Sequence, residues 1–398
     1  MPCRELPRSL DPLPGEALDG FLLRLAYRLE LSPARIALIG GLALSRHLQA
    51  PFAALLHLPG ELRDRFACVV RLQPAEVSSM CLSSLSERYA PISVASKLTG
   101  TNHSGYWVFK RATRYCPECL AGDGSRIQEE LGGAWQRTWR LPVVFACTNH
   151  RRFLDHLCPG CQRPAHDCAG TGQPINAPVQ PRHAGLHPAQ CRQINPAQLS
   201  RGRRAPLCAA SFAASQIPSS FPEPASLKLQ DRISDLLNPG LADSVISVGT
   251  PSIARRYFTD LQLLTTLIRI SWPRAKDIMT IADNLERAIW EDHEFLLRER
   301  RGPCPLRRPQ IHWIAPLRSE HCAALLTIAG QLIDIPRPRA LADQLAHLLG
   351  DDPLNSSAAS WTRDFLAVRP DCSVGLSRAL PPVLEHTRPR GPEEATNR

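Results

Sequence analysis

Hydrophobic residues recur at helical spacing near the start of the chain. Between residues 14 and 45 the pattern predicts two helices, the first with one buried stripe. Ser32 is a suitable N-cap and Pro33 suits the first helical position, so a second helix is expected to begin there. Two helices joined so tightly predict a helix-turn-helix-like unit, although any helical hairpin gives the same pattern. The predicted stripe consists of Leu18, Phe21, Leu22, Leu25, Ala26 and Leu29.

The second half of the chain returns to helical spacing. Residues 227–300 carry two apolar stripes, and a further helix pair is predicted at Cys322–Ile333 and Arg339–Leu349, separated by prolines. The stripes consist of Leu229, Ile233, Leu236 and Leu237, and of Leu261, Leu264, Leu267 and Ile268.

Residues 90–115 have a different pattern, in which β-forming side chains precede basic ones. We interpret them as a short strand packed on the central module, with solvated arginines beyond it. The alternative is that the aromatic side chains stack nucleobases while the basic ones hold phosphates. The residues concerned are Ile92, Val94, Tyr106, Trp107, Val108, Phe109, Lys110, Arg111 and Arg114.

These patterns predict a mainly α-helical protein with little β-structure. The expected segments are an N-terminal helical domain (1–95), a zinc-binding module with an irregular Pro-rich extension (96–226), a C-terminal helical domain (227–385) and a disordered tail (386–398).

Three pairs of soft ligands, each pair separated by two residues, lie in the central module. A two-residue gap lets one turn direct both side chains at one ion, and tetrahedral zinc needs two such turns. We therefore predict a first structural zinc site made by Cys116, Cys119, Cys147 and His150.

A second zinc site is predicted to begin with Cys158 and Cys161. Cys191 and Cys208 are the preferred remaining ligands, because thiolates dominate structural zinc sites. His166, Cys168 and His187 are the competing candidates. The other cysteines, which are interpreted as core or incidental residues, are Cys3, Cys68, Cys81, Cys304, Cys322 and Cys372.

The composition favours a polyanionic partner. The 398 residues carry a formal net charge of +10, and nearly all the positive charge is arginine, which suits phosphate and base recognition. A GC-rich genome that encodes Arg in place of Lys would give the same bias. No secretory signal or membrane span is recognisable, so we expect a cytoplasmic protein without membrane contact, in which paired cysteines bind metal.

The sequence lacks complete catalytic motifs of three enzyme classes. A zincin would need a second His at Leu297 to complete the motif begun by His293-Glu294, and no lysine follows a glycine as a Walker A loop requires. No His-x-Glu precedes Cys116 as in zinc deaminases. We therefore expect no catalytic residues and no small-molecule substrate.

The ordered motifs resemble the TniQ family. The similarity rests on Tyr115-Cys116-Pro117-Glu118-Cys119-Leu120, Trp135, Trp139-Arg140-Leu141-Pro142, Cys147-x-x-His150, Leu154 and Cys158-Pro159-x-Cys161, and on Pro14-x-Glu16-x-Leu18 with Phe21-Leu22-x-Arg24-Leu25-Ala26. It covers roughly residues 6–165. Two departures are Gly20-Phe21, where the family often has Ser-Trp, and the wide separation of Cys191 and Cys208, where it usually has a compact Cys-x-x-Cys.

The resemblance implies a non-enzymatic accessory protein of bacterial transposition. Such proteins help to choose the target by binding DNA or a guide complex, and they recruit an AAA+ ATPase that directs a separate transposase. The resemblance also supports the first zinc site and half of the second. The alternatives are a stand-alone zinc-dependent DNA-binding regulator and a protein–protein scaffold.

Overall fold

The computed structural model describes residues 5–43, 52–92, 107–110, 112–166, 184–193, 207–214, 220–278, 282–301, 315–349, 362–363, 365–366 and 371–386. They form two compact units. The first comprises Met1–Ser86, Ile92–Pro222 and Leu317–Ser319, and the second comprises Glu87–Pro91, Glu223–Pro316 and Glu320–Arg398. The sequence-based domain bounds stay a prediction.

The first unit begins with short helices. They are α1 (Leu18–Arg28), α2 (Pro33–Ile39), α3 (Phe52–Leu56), α4 (Gly60–Val70), α5 (Pro74–Ser79), a 3-10 turn at Leu82–Leu85, α6 (Pro117–Ala121) and α7 (Arg126–Leu131). A second 3-10 turn at Arg137–Arg140 leads to the hairpin of β1 (Ala146–Cys147) and β2 (Arg152–Phe153).

Both predicted N-terminal helices are present, and their local signals act as expected. The Ser32 hydroxyl accepts a hydrogen bond from the Arg35 amide at 3.2 Å, with Pro33 at the first helical position. Five residues of the predicted stripe are buried and Leu29 is partly buried. They form one core with residues of α2, α4 and α5.

The segment 15–17 pairs with 135–137, so α1 is anchored to the central module. The Ala17 amide donates to the Trp135 carbonyl at 2.7 Å, and the Arg137 amide donates to the Gly15 carbonyl at 3.0 Å. The side chains of Asp19 and Arg140 form a buried ion pair at 2.5 Å. A carboxylate on α1 thus neutralises an arginine beside the cysteine-rich region.

The strand interpretation of residues 90–115 is wrong within the described residues. Residues 90–92 are helical, and 107–110 form a turn and a bend. The Phe109 amide bonds to the carbonyl of Arg140 at 2.8 Å. Arg114 is buried, with its guanidinium donating to the carbonyls of Pro142, Val144 and Leu317. Satisfying these carbonyls, which no strand ladder pairs, accounts for its burial. Val94, Tyr106 and Arg111 lie outside the described residues.

The second unit is mainly helical, as predicted, with one hairpin that the helical pattern did not indicate. Its elements are α8 (Pro224–Leu237), β3 (Ser244–Ser247), β4 (Thr250–Ile253), α9 (Ala254–Ser271), a 3-10 turn (Arg274–Ile278), α10 (Asp283–Arg301), α11 (Ser319–Ile333), α12 (Pro338–Leu349) and α13 (Val374–His386). Strands β3 and β4 pair antiparallel from Ser244↔Ile253 to Ser247↔Thr250.

The single cysteines have different environments. Cys81, Cys322 and Cys372 are buried free thiols, which confirms the core interpretation for them. Cys68 is disulfide-bonded, so its interpretation as an incidental thiol is wrong. Cys3 and Cys304 lie outside the described residues. None of the described helices combines the length and apolar character needed to cross a membrane.

Gly20 lies where α1 meets Trp135. A Cβ at position 20 would stand 2.8 Å from the Trp135 Cβ, closer than real contacts allow. The buried tryptophan thus accounts for glycine at this position.

Gly20→Ala is therefore expected to destabilise the protein by about 1–3 kcal/mol through overpacking of the core. Urea unfolding measures the change. Gly60→Ala is the matched control, because a Cβ there meets nothing within 4 Å. Equal stability of the two variants would contradict the close approach of α1 to Trp135.

Candidate metal centres

The first centre joins a helix start to a hairpin. Cys116 is the N-cap of α6 and Pro117 begins the helix, so one helical turn presents both Cys116 and Cys119. Cys147 ends β1, and the turn to β2 carries His150. Arg151 ends that turn in the left-handed backbone region, with φ 48°. The chain therefore reverses direction there without a glycine.

The four ligand atoms of this first centre lie within 4.8 Å of one another. His150 Nδ1 lies 3.4 Å from Cys116 Sγ, 3.3 Å from Cys119 Sγ and 3.4 Å from Cys147 Sγ. Cys119 Sγ and Cys147 Sγ are 3.6 Å apart. Ligands at about 2.0–2.3 Å from a tetrahedral ion would themselves stand roughly 3.5–3.8 Å apart. The spacing therefore fits a zinc-sized ion.

The sulfur atoms of this cluster compete for protons. Hydrogen bonds from Cys116 and Cys119 lower the pKa of Cys147 to about 2. Hydrogen bonding with Cys119 and Cys147, together with burial, raises the pKa of Cys116 above its ordinary value. One thiolate thus forms readily and further ionisation is opposed by the first. A divalent cation would remove that opposition, and its binding would release protons.

A buried arginine forms ion pairs with two acidic residues beside the first centre. The Arg152 guanidinium bonds to Glu118 Oε1 at 2.7 Å and Asp155 Oδ2 at 2.9 Å. Glu118 lies between Cys116 and Cys119, so Arg152 ties the helix start to the hairpin. Glu118 Oε2 also accepts from the Cys116 thiol at 3.3 Å. These contacts hold the two ligand pairs in register.

The second centre joins the Cys158–Cys161 turn to two later segments. Cys158 Sγ lies 3.7 Å from Cys208 Sγ, and Cys161 Sγ lies 3.8 Å from Cys191 Sγ. The four sulfur atoms lie within 4.8 Å of one another. Hydrogen bonding from Cys191 lowers the pKa of Cys158 to about 5, so this cluster also favours one ready thiolate.

The segments around Cys191 and Cys208 pair with each other. The Cys191 amide donates to the Ala210 carbonyl at 2.8 Å, and the Cys208 amide donates to the Gln193 carbonyl at 2.8 Å. Backbone pairing therefore brings together two cysteines that are separated along the chain. No local sequence signal marks this pairing.

The competing ligands occupy other positions. His166 is buried 3.4 Å from Asp19 and its ring packs on Trp135, with centroids 4.1 Å apart. His187 accepts from the Ala189 amide and packs edge-on against Tyr27. Cys168 lies outside the described residues. Among the described residues, the eight predicted ligands form the two clusters with metal-binding geometry.

Aromatic residues near the ligands of both centres pack on Trp135. Trp135 contacts Trp139, Tyr115 and Phe212, with ring centroids 6.2, 5.9 and 5.4 Å apart. Its indole N–H donates to the Pro188 carbonyl at 3.2 Å. Trp135 thus packs on residues next to the first centre and on residues next to the second.

Residues 7–154 match the TniQ family model. This part of the chain is a TniQ domain. The match confirms the family recognised from the motifs, and it contains the whole first centre but ends before Cys158. No curated protein matches the chain.

Gly160→Ala is expected to weaken metal binding at the second centre and leave the first intact. A Cβ at position 160 would stand 2.9 Å from Cys208 Sγ and 2.7 Å from Ala210 Cβ. Metal content per chain, measured after dialysis against a weak chelator, should fall from about two ions toward one. Unchanged metal content would show that the turn tolerates a side chain, with Gly60→Ala as the control.

Proposed function

We propose that the chain is a non-enzymatic, zinc-stabilised accessory protein of DNA transposition. The observation that carries the proposal is the TniQ match over residues 7–154, with one complete tetrahedral cluster inside it. Three thiolates and one imidazole leave no open coordination position, so this centre would be structural. The centre would hold α6 and the β1–β2 hairpin together and perform no chemistry on a substrate.

The same reasoning applies to the second cluster. Cys158, Cys161, Cys191 and Cys208 would bind a second structural zinc ion. That ion would attach the paired segments 187–193 and 207–212 to the Cys158–Cys161 turn. Its role in the fold would resemble that of a small core, because these segments are short and irregular.

Many arginines would not contribute to a nucleic-acid surface. Buried arginines bond to carboxylates or backbone carbonyls, as Arg140 does with Asp19. A DNA surface must therefore be built from exposed residues. Among the described residues, the buried arginines are Arg24, Arg114, Arg140, Arg152, Arg192 and Arg269.

We place DNA recognition in the second unit, on α12. Helices α11 and α12 are separated by four residues, 334–337. Helix α12 exposes Arg339, Asp343 and His347 on one side, spaced at about one helical turn. In contrast, α2 exposes Arg35 alone, whereas a recognition helix uses three or four side chains. Helix α12 is thus the better candidate, and the N-terminal helices would contact the ATPase.

Zinc content tests the metal assignment. The wild-type protein should contain about two zinc ions per chain, because both clusters have complete ligand sets. The double substitution Cys116→Ser with Cys119→Ser should remove one ion and lower the melting temperature. Cys191→Ser should remove the other ion.

Cys322→Ala is the control for these variants, since Cys322 is a buried free thiol away from both clusters. It should retain both ions. If the Cys116/Cys119 variant kept its metal and its melting curve, the assignment of the first site would be wrong.

Two binding experiments test the proposed activity. Affinity purification of the tagged protein from its native host, after nuclease treatment, should recover an AAA+ ATPase or a transposase. Arg339→Ala should weaken DNA binding and reduce the slope of log affinity against log salt by about 1. Arg126→Ala, an exposed arginine in α7, is the control.

Recovery of neither partner, with DNA binding intact, would replace the proposal by a stand-alone regulator. Absence of salt-dependent DNA binding, with protein partners recovered, would restrict the function to a protein–protein role.

A further inference from the structure

A fully buried carboxylate holds three segments of the second unit together. Asp260 of α9 has no exposed surface. Its Oδ2 atom accepts a hydrogen bond from the Ser247 hydroxyl at 2.6 Å, and its Oδ1 atom accepts one from the Ser373 amide at 3.0 Å. Ser247 ends β3 and Ser373 directly precedes α13. These three residues, here called the Asp260 latch, therefore fasten the hairpin and the start of α13 to α9.

The turn of the same hairpin lies against the connection between α11 and α12. The Val248 amide donates to the Ile333 carbonyl at 2.8 Å, one of the acceptors that the end of a helix leaves without a partner. A Cβ at Gly249 would stand 1.9 Å from the Pro336 carbonyl oxygen, so backbone approaches backbone there. Because Val248 directly follows Ser247, the latch also sets the position of this connection.

The charge of Asp260 has no ion-pair partner among the described residues. Burial raises the pKa of Asp260 to about 6, against the hydrogen bonds from Ser247 and Ser373 and the charge of Arg256, which lower it. Neither strand of the hairpin carries a titratable side chain. A carboxylate that is solvated only by a hydroxyl and an amide is costly to bury, and the uncharged acid costs less.

The other titratable groups near the latch are buried or paired. Burial, with a contribution from the Asp260 charge, raises the pKa of Tyr257 to about 12 and the pKa of Cys372 above its ordinary value, so both stay neutral near pH 7. The ion-paired neighbours are Asp371 with Arg255 and Asp334 with Arg232. Among these described neighbours, Asp260 is therefore the group expected to change charge near neutral pH.

We propose that the Asp260 latch is a proton-sensitive device that secures the connection between α11 and α12. In the protonated form, Oδ1 still accepts from the Ser373 amide, and the acid proton is donated to the Ser247 hydroxyl oxygen. In the ionised form an unpaired charge is buried, which favours opening of the latch to water. The significance of this device for DNA binding rests on the proposed function, in which α12 reads the target.

The direction of the pH effect follows from the raised pKa. The closed latch holds a proton more tightly than an exposed aspartate, whose ordinary pKa is 3.8. Closure is therefore favoured most below about pH 4, and this advantage is lost as the pH rises through about 6. From about pH 5 to about pH 8, the opening equilibrium should increase about tenfold.

Hydrogen exchange of the full-length protein measures this opening. Exchange of the Val248 and Ser373 amides, corrected for the intrinsic rate at each pH, should report about tenfold more opening at about pH 8 than at about pH 5. Asp260→Asn keeps the shape and both hydrogen bonds but cannot ionise, so its opening should change by less than about twofold. The control Asp371→Asn removes an exposed carboxylate and should behave as the wild type does.

Equal opening of the wild type at both pH values would overturn the proposal, even if Asp260→Asn did not fold. The same pH dependence in Asp260→Asn as in the wild type would assign the effect to another group and would also overturn it. DNA binding, measured on the same samples, separates the two proposals. Absence of DNA binding with the expected exchange result would contradict the proposed function alone, and DNA binding without that exchange result would contradict the latch alone.

Discussion

The packing of sulfur and imidazole groups into two compact clusters is the constraint on which the middle of this protein depends. The described residues between Cys116 and Phe212 form short elements, with a hairpin of two residues in each strand. Such elements cannot hold each other by strand pairing alone. Ligand atoms placed 3.3–3.8 Å apart are stable as a group when a cation neutralises their charge. With an ion bound in each cluster, the segments that carry the ligands would depend on the clusters more than on their own apolar contacts.

The packing around Trp135 joins the segments of the two centres to the N-terminal helices. Its backbone accepts the Ala17 amide at 2.7 Å, and its ring packs on His166. Asp19 of α1 reaches both Arg140 and His166. A buried charge is tolerated only when it is paired, so these contacts fix one orientation of α1. The TniQ domain thus combines helices with a cysteine–histidine cluster that could hold a metal ion.

The arginine bias illustrates how far composition can guide an interpretation. Net charge suggests a polyanionic partner, but it does not distinguish Arg114, which is enclosed by three carbonyls, from Arg339, which faces solvent. The sequence marks both as basic residues. The distinction requires the tertiary structure, because an unpaired carbonyl needing a donor is a property of the folded backbone. The proposed DNA surface is accordingly based on exposure.

The sequence by itself determined the helices and the local ligand pairs. Ser32 and Pro33 start α2 by capping chemistry, and two-residue gaps place Cys116 with Cys119 and Cys158 with Cys161 in single turns. These features are local, and each leaves a short recognisable pattern in the sequence. Only the tertiary structure decided how Cys191 and Cys208 meet, why position 20 is glycine and where Cys68 lies. Each of these depends on segments far apart in the chain, whose approach is set by backbone pairing and packing that no short pattern encodes.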